Sequence, residues 1–347
     1  IGRIASDPKN RACEALRAYS PVMTDIAPGR AAPPAPPAPG GRTAGGIAYD
    51  DQGSGEPVVL VHAGVADRRM WDPLVPVLAA EHRVIRYDAR GFGETLPPTG
   101  PWSQHTDLLA LLDELLVGRA HVVGASMGAG IAVEAALARP EAVASLVLAG
   151  PGGALFAETP SELRPIWAAE VDALDQGDLD GAVEVNLRAW VDGPHRAPDA
   201  VDADLRSFVG RMQREAFELP EWDQAIAPEH ELSPAAAGRL GELACPVLVI
   251  VGEADQPSVI ATAARTAAAA PRARLVSWPG VGHLPSLERP VAFAGIVTRF
   301  LADIGGGAFD GRPVVAPASS GVLDGPGAPQ AGEDRPSGPR DESNGER

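Results

Sequence analysis

Residues 120–138 read AHVVGASMGAGIAVEAALA. The opening AHVVGA is a short apolar run of the kind that forms a buried strand, and MGAGIAVEAALA is rich in strong helix formers. No residues are left between them for a loop, so the chain must turn within Gly124-Ala125-Ser126-Met127-Gly128. A strand-to-helix turn this tight holds its central residue in strained backbone geometry. Glycines two positions to either side let it close without Cβ clashes. The serine hydroxyl then projects from the C-terminal edge of the sheet. The helix that follows directs its free N–H groups and the positive end of its dipole at the same point, where an oxyanion would be stabilised. Gly-x-Ser-x-Gly spacing alone is a weak signal in a chain with 39 glycines. The strand-then-helix context carries the inference.

Working outward, the same kind of apolar run recurs as EPVVLVHAG (56–64), HRVIRYD (82–88), ASLVLAG (144–150), PVLVIVGEAD (246–255) and ARLVSWPG (273–280). Continuous Val/Ile/Leu content without alternation marks strands buried on both faces, which means a mostly parallel sheet. Helical patterns separate the runs: MWDPLVPVLAA (70–80), TDLLALLDEL (106–115), the helix after Ser126, PSVIATAARTAAAA (257–270) and VAFAGIVTRFLADI (291–304). Alternating β and α with parallel strands predicts an α/β fold, a doubly wound, mostly parallel sheet. One connection, residues 151–245, is far longer than a simple crossover of about a dozen residues. It reads as an inserted helical cap over one edge of the sheet: Val183, Leu187, Trp190 and Val191 repeat at helical spacing, as do Leu205, Phe208, Met212 and Ala216. The expected organisation is a disordered segment at 1–44, core at 45–154, cap at 155–243, core again at 244–304 and a disordered tail at 305–347. Proline- and glycine-rich composition at both ends gives little apolar material to bury.

The chain of 347 residues carries 29 Lys and Arg against 46 Asp and Glu, a net charge of −17. That balance argues against a nucleic-acid partner, which needs clustered cations. Lys9 is the only lysine and lies in the first of the low-apolar segments. A phosphate-loop nucleotide site and a pyridoxal Schiff base, both of which need a lysine inside the fold, are therefore excluded. Cys13 and Cys245 allow one disulfide at most, and no metal-ligand cluster of Cys and His occurs. No apolar run approaches the roughly 18 residues of a membrane span, and IGRIASDPKN lacks the apolar core of a signal peptide. A cytoplasmic protein with no membrane partner is expected.

At the junction around Ser126 the sequence resembles the α/β-hydrolase superfamily. The resemblance covers most of residues 45–304, with much of the insertion outside it, and in several motifs the chain is similar to the cofactor-free esterase, haloperoxidase and enol-lactonase branch. Three further motifs carry the resemblance: Leu60-Val61-His62-Ala63-Gly64, Asp88-Ala89-Arg90-Gly91-Phe92-Gly93 and Gly282-His283-Leu284-Pro285. A serine hydroxyl is a poor nucleophile unless a base accepts its proton and an acid orients that base. The order Ser, acid, His is met by Ser126, Asp255 and His283, the last two on loops that follow strands at the same sheet edge. Glu253 competes with Asp255 for the acid, and the family pattern favours Asp255. The other family location for the acid, just after ASLVLAG, holds only Gly150, Pro151, Gly152 and Gly153. The resemblance places the oxyanion hole at the backbone N–H groups of Met127 and Gly64, with Val65 as the alternative to Gly64. Ala63 departs from the commoner His-Gly pair. His62 and the Asp88 to Gly93 turn read as structural, and Cys245 as a small buried apolar residue.

In the cap, Trp190 is the first candidate for contact with substrate, ahead of Trp167, Phe208, Phe217 and Trp222. The resemblance implies a serine hydrolase acting on a small ester or lactone with no cofactor and no metal. Carbon–carbon cleavage or perhydrolysis on the same triad is the alternative. A further one is a hydrolase-like protein that binds a small ligand without turnover. The serine at the elbow sets the chain apart from epoxide hydrolases and dehalogenases of this superfamily, which use an aspartate there. The sequence does not specify an oligomeric state.

Overall fold

The computed structural model describes residues 40–219 and 232–310. Cys13, Trp222 and most of both terminal segments therefore lie outside the described residues. All six expected strands are present: β3 (Pro57–Val61), β4 (Arg83–Tyr87), β5 (Ala120–Ala125), β6 (Val143–Ala149), β7 (Val247–Gly252) and β8 (Ala273–Trp278). Two more precede them, β1 (Gly40–Arg42) and β2 (Ala48–Gly53), and the eight form one sheet in the order β1-β2-β4-β3-β5-β6-β7-β8. β1 and β2 pair antiparallel while β3 to β8 run parallel. The boundary expected at residue 44 is thus too late, because ordered chain begins by Gly40. The central strands bury as their composition dictates: Val58, Val59, Leu60 and Val61 are fully buried. Each such side chain contributes roughly 1.5–3 kcal/mol of hydrophobic stabilisation.

Four of the helices alternate with or follow the parallel strands and form the core layers: α1 (Gln104–Glu114), α2 (Met127–Ala138), α6 (Pro257–Ala269) and α7 (Pro290–Gly305). The cap supplies α3 (Arg164–Asp175), α4 (Leu179–Asn186) and α5 (Ala203–Phe217). The helix expected at 70–80 is replaced by two short turns, Arg68–Trp71 and Val75–Leu78. Pro73 and Pro76 divide that stretch, each lacking the N–H that a continuous helix needs. In the cap, the expected helix face of Val183, Leu187, Trp190 and Val191 is buried, but α4 does not continue through it. Residues Leu187–Asp192 form a wider, π-helical turn that Gly193 ends at φ 75°. The buried face of α5 is Val209, Met212 and Gln213, turned by about one residue from the spacing read in the sequence. Beyond α7, Phe309 packs edge-on against Phe300 and Asp310 accepts from Arg274, so the chain stays docked past residue 305.

The strand order reverses direction between β3 and β5. Crevices for ligands in such sheets open at that switch point, beyond the carboxyl ends of the strands. Ala125, Ala149 and Ile250 end up level with one another through the pairings of β5 with β6 and of β6 with β7. Loops after these strands therefore emerge on a single rim.

Candidate active site

Ser126 caps α2 with φ 51° and ψ −112°, and only one other non-glycine residue among the described residues has a positive φ. Its backbone is fixed on both sides: its N–H donates to the Ala149 carbonyl at 2.8 Å, and its own carbonyl accepts from Gly152 at 3.2 Å. The flanking glycines are steric necessities. A Cβ on Gly124 would collide with the Gly128 carbonyl, and one on Gly128 with the carbonyls of Val61 and His62. The sequence thus packs β5, α2 and β3 backbone to backbone, with the half-buried serine at the tip.

His283 Nε2 stands 2.8 Å from Ser126 Oγ, and His283 Nδ1 lies 3.0 and 2.8 Å from the two carboxylate oxygens of Asp255. An ionised carboxylate can only accept, so Nδ1–H donates to Asp255 and Nε2 is left to accept the serine proton. Both partners are buried, each 2 % exposed. Asp255 is itself held by the Gln256 N–H, which donates to Oδ1 at 2.6 Å. Glu253 is elsewhere: it is exposed and accepts from Ser277 at 2.8 Å. The glycine after β6 makes room for the imidazole, because at Gly150, with φ 52°, a Cβ would sit 2.8 Å from the His283 carbonyl and 3.2 Å from Nδ1.

Met127 opens α2, and the first N–H groups of a helix have no intrahelical partner. Gly64 faces it across the switch point: a Cβ there would lie 3.7 Å from Met127 Sδ. Gly64 and Met127, the residues expected to supply the oxyanion donors, are therefore neighbours. Val65 is buried beside them. His62 is fully buried and hydrogen-bonded at both ring nitrogens to backbone, the Ala63 carbonyl at 2.8 Å and the Ala89 N–H at 2.9 Å, so it ties the Gly64 loop to the loop after β4. Asp88 accepts the N–H groups of Arg68 and Glu94 and pairs with the Arg68 guanidinium. Burial raises its pKa although Arg68 opposes the shift. Arg90 makes a two-pronged pair with Asp107 at 2.6 and 3.0 Å. That turn is scaffolding. Cys245 has no disulfide partner among the described residues and is buried, its thiol pushed up to about 11 by burial.

Trp190 comes over the base, its ring centroid 4.7 Å from that of His283 with the planes at 42°. Of the other aromatic candidates, Trp167 is exposed at 37 %, and Phe208 and Phe217 pack against the core. Two residues that the sequence reading did not single out also build the rim. Phe156 lies within ordinary contact of the space above Gly152, which also borders Ser126 Oγ. Gln256 Nε2 donates to the Ala189 carbonyl at 2.9 Å, fastening the turn that carries Trp190 to the loop that carries Asp255. Polar loop residues of this kind have no periodicity to reveal them.

Comparison with known proteins agrees with this architecture. Residues 56–290 match the model of the alpha/beta hydrolase fold family. The chain is 31% identical over 266 residues to a Mycobacterium tuberculosis protein named "Putative non-heme bromoperoxidase BpoC", covering 74% of this chain and 98% of that one. It is 30% identical over 268 residues to a 2-hydroxy-6-oxononadienedioate/2-hydroxy-6-oxononatrienedioate hydrolase of Paraburkholderia xenovorans, covering 73% and 90%. Among solved structures it is similar to a thermophilic esterase from Thermogutta terrifontis, with a TM-score of 0.59 at 25% identity over 74% of this chain and 93% of that one. The family match, which spans the elbow, the acid loop and the histidine loop, makes this chain a member of the α/β-hydrolase-fold family of enzymes.

Proposed function

We propose that the protein is a serine hydrolase that cleaves a small carboxylic ester or lactone through an acyl-enzyme intermediate. The observation that carries this reading is the unbroken relay from Ser126 Oγ to His283 Nε2 and from His283 Nδ1 to Asp255. Ser126 Oγ attacks the carbonyl carbon while His283 takes its proton, and Asp255 holds the imidazole in the required tautomer and stabilises the imidazolium. The N–H groups of Met127 and Gly64 bind the oxyanion. His283 then returns the proton to the leaving alcohol, accepts one from water as that water attacks the acyl carbon, and passes it to Ser126 Oγ as the bond between Oγ and the acyl carbon breaks and the acid is released. Met127, Phe156 and Trp190 give the surroundings of the nucleophile an apolar character. That favours an uncharged acyl group over a charged one, and the net charge of −17 disfavours polyanions.

Cleavage of a carbon–carbon bond in a ring-fission product is the second reading, favoured by the likeness to the Paraburkholderia xenovorans hydrolase. A panel of short p-nitrophenyl esters, lactones, thioesters and a dienoate ring-fission product separates the two. The ester reading expects simple esters to be turned over much faster than the dienoate. Ser126→Ala is expected to lower ester turnover by at least about 10³-fold with the melting temperature nearly unchanged; retained activity refutes the assignment.

A further inference from the structure

Arg196 lies in the cap, four residues past the turn that carries Trp190 and Asp192. Its Nε donates to the Asp192 carbonyl and its Nη2 to the Val191 carbonyl, each at 2.7 Å. The other side of the same guanidinium meets Glu288 at 2.6 and 3.2 Å and the Gly280 carbonyl at 3.3 Å. Glu288 Oε1 in turn accepts the Gly282 N–H at 2.8 Å, and Gly282 directly precedes His283. Both charged side chains are well shielded, 16% and 10% exposed.

Gly282 supplies an independent observation. Its φ is not among the positive ones, so its backbone does not require glycine. A Cβ there would overlap Arg196 Nη2 and stand 2.9 Å from Glu288 Oε1, so any larger residue would have to push the ends of this ion pair aside. On the cap side, the two carbonyls that Arg196 holds belong to the turn whose Trp190 ring lies over His283. We infer that Arg196, acting through Glu288 and the space left at Gly282, is a positioning residue that couples the cap turn bearing Trp190 to the loop bearing His283. It touches no reacting atom. It sets the distance between base and nucleophile, where a displacement of about 1 Å costs up to about 10²-fold in rate.

The inference rests on the hydrolase reading above, and the test keeps the two apart. On p-nitrophenyl acetate, Arg196→Met is expected to lower kcat about 10- to 30-fold while KM stays within about threefold. Glu288→Gln keeps an oxygen for the Gly282 N–H and loses the charge opposite Arg196, so a smaller fall is expected. Gly282→Ala should displace the guanidinium and match Arg196→Met. Combined with Arg196→Met it should be no slower than the slower single variant, because both break one link. A plain structural staple would lower the melting temperature and leave kcat per folded molecule alone. Arg196→Lys, which retains the charge but cannot bridge both sides, is expected to be intermediate and serves if the Met variant fails to fold. Folded variants with wild-type kcat, or effects that multiply in the double variant, overturn the coupling. A wild-type protein that neither hydrolyses esters nor reacts with a fluorophosphonate probe overturns the hydrolase reading and the coupling with it.

Discussion

Backbone strain at a single residue is held in place by its surroundings here. A non-glycine residue at φ 51° and ψ −112° costs on the order of 1–3 kcal/mol. Ser126 stays there because strand β6, the Gly152 N–H and helix α2 all bond to its backbone. Asp255 is equally over-determined, by the imidazole and by the Gln256 N–H. Asp255→Asn preserves the acceptor oxygen for both and removes the charge that selects the tautomer. Steady-state kinetics at neutral pH should show kcat reduced by about 10²- to 10⁴-fold, while Glu253→Gln stays within twofold of wild type. The reverse pattern would move the acid to Glu253. Ser126 and His283 were legible in the sequence because motif, strand context and chain order coincide at them. Gln256, Arg196 and Glu288 were not, because their roles depend on loops that meet only in three dimensions.

At the scale of elements, the six parallel strands could be read directly, since burial on both faces demands unbroken Val, Ile and Leu. β2, AYDDQG, could not: it is a polar strand that pairs with β4 through backbone bonds, with Asp50 and Asp51 meeting arginines. The cap was legible as helical but not in its winding, because a wide turn at Leu187–Asp192 keeps an apolar pattern close to that of an ordinary helix. Backbones meet closely where α2 packs on β3 and β5. There Gly128→Ala, which drives a methyl into the Val61 and His62 carbonyls, should destabilise the protein by on the order of 3 kcal/mol in chemical denaturation. Gly295→Ala, where a Cβ meets nothing within 4 Å, should cost no stability. Equal effects would contradict the backbone-contact account of the elbow.

For the whole molecule, the cap is fastened across the rim at several points: Arg69 pairs with Glu215, the Ser258 N–H donates to Glu162, and Arg196 pairs with Glu288. The first of these involves the loop that holds Asp67, which also bonds Arg69. Burial, the largest single influence on Asp67, raises its pKa, but hydrogen bonds and charge from Arg69 together leave it below its ordinary 3.8. A depressed carboxylate contributes stability that is present above the ordinary value and lost as pH falls through the folded one. Asp67→Asn should therefore be less stable than wild type at pH 7, and the difference should shrink on acidification below about pH 4; a gap that does not change with pH would contradict this.

All three scales meet in one measurement, intact-protein mass spectrometry with peptide mapping after exposure to a fluorophosphonate. The account predicts a single adduct on Ser126, its formation slowed strongly in His283→Ala and absent in Ser126→Ala. Folded protein that hydrolyses esters yet carries no adduct, or carries it on another residue, would contradict it.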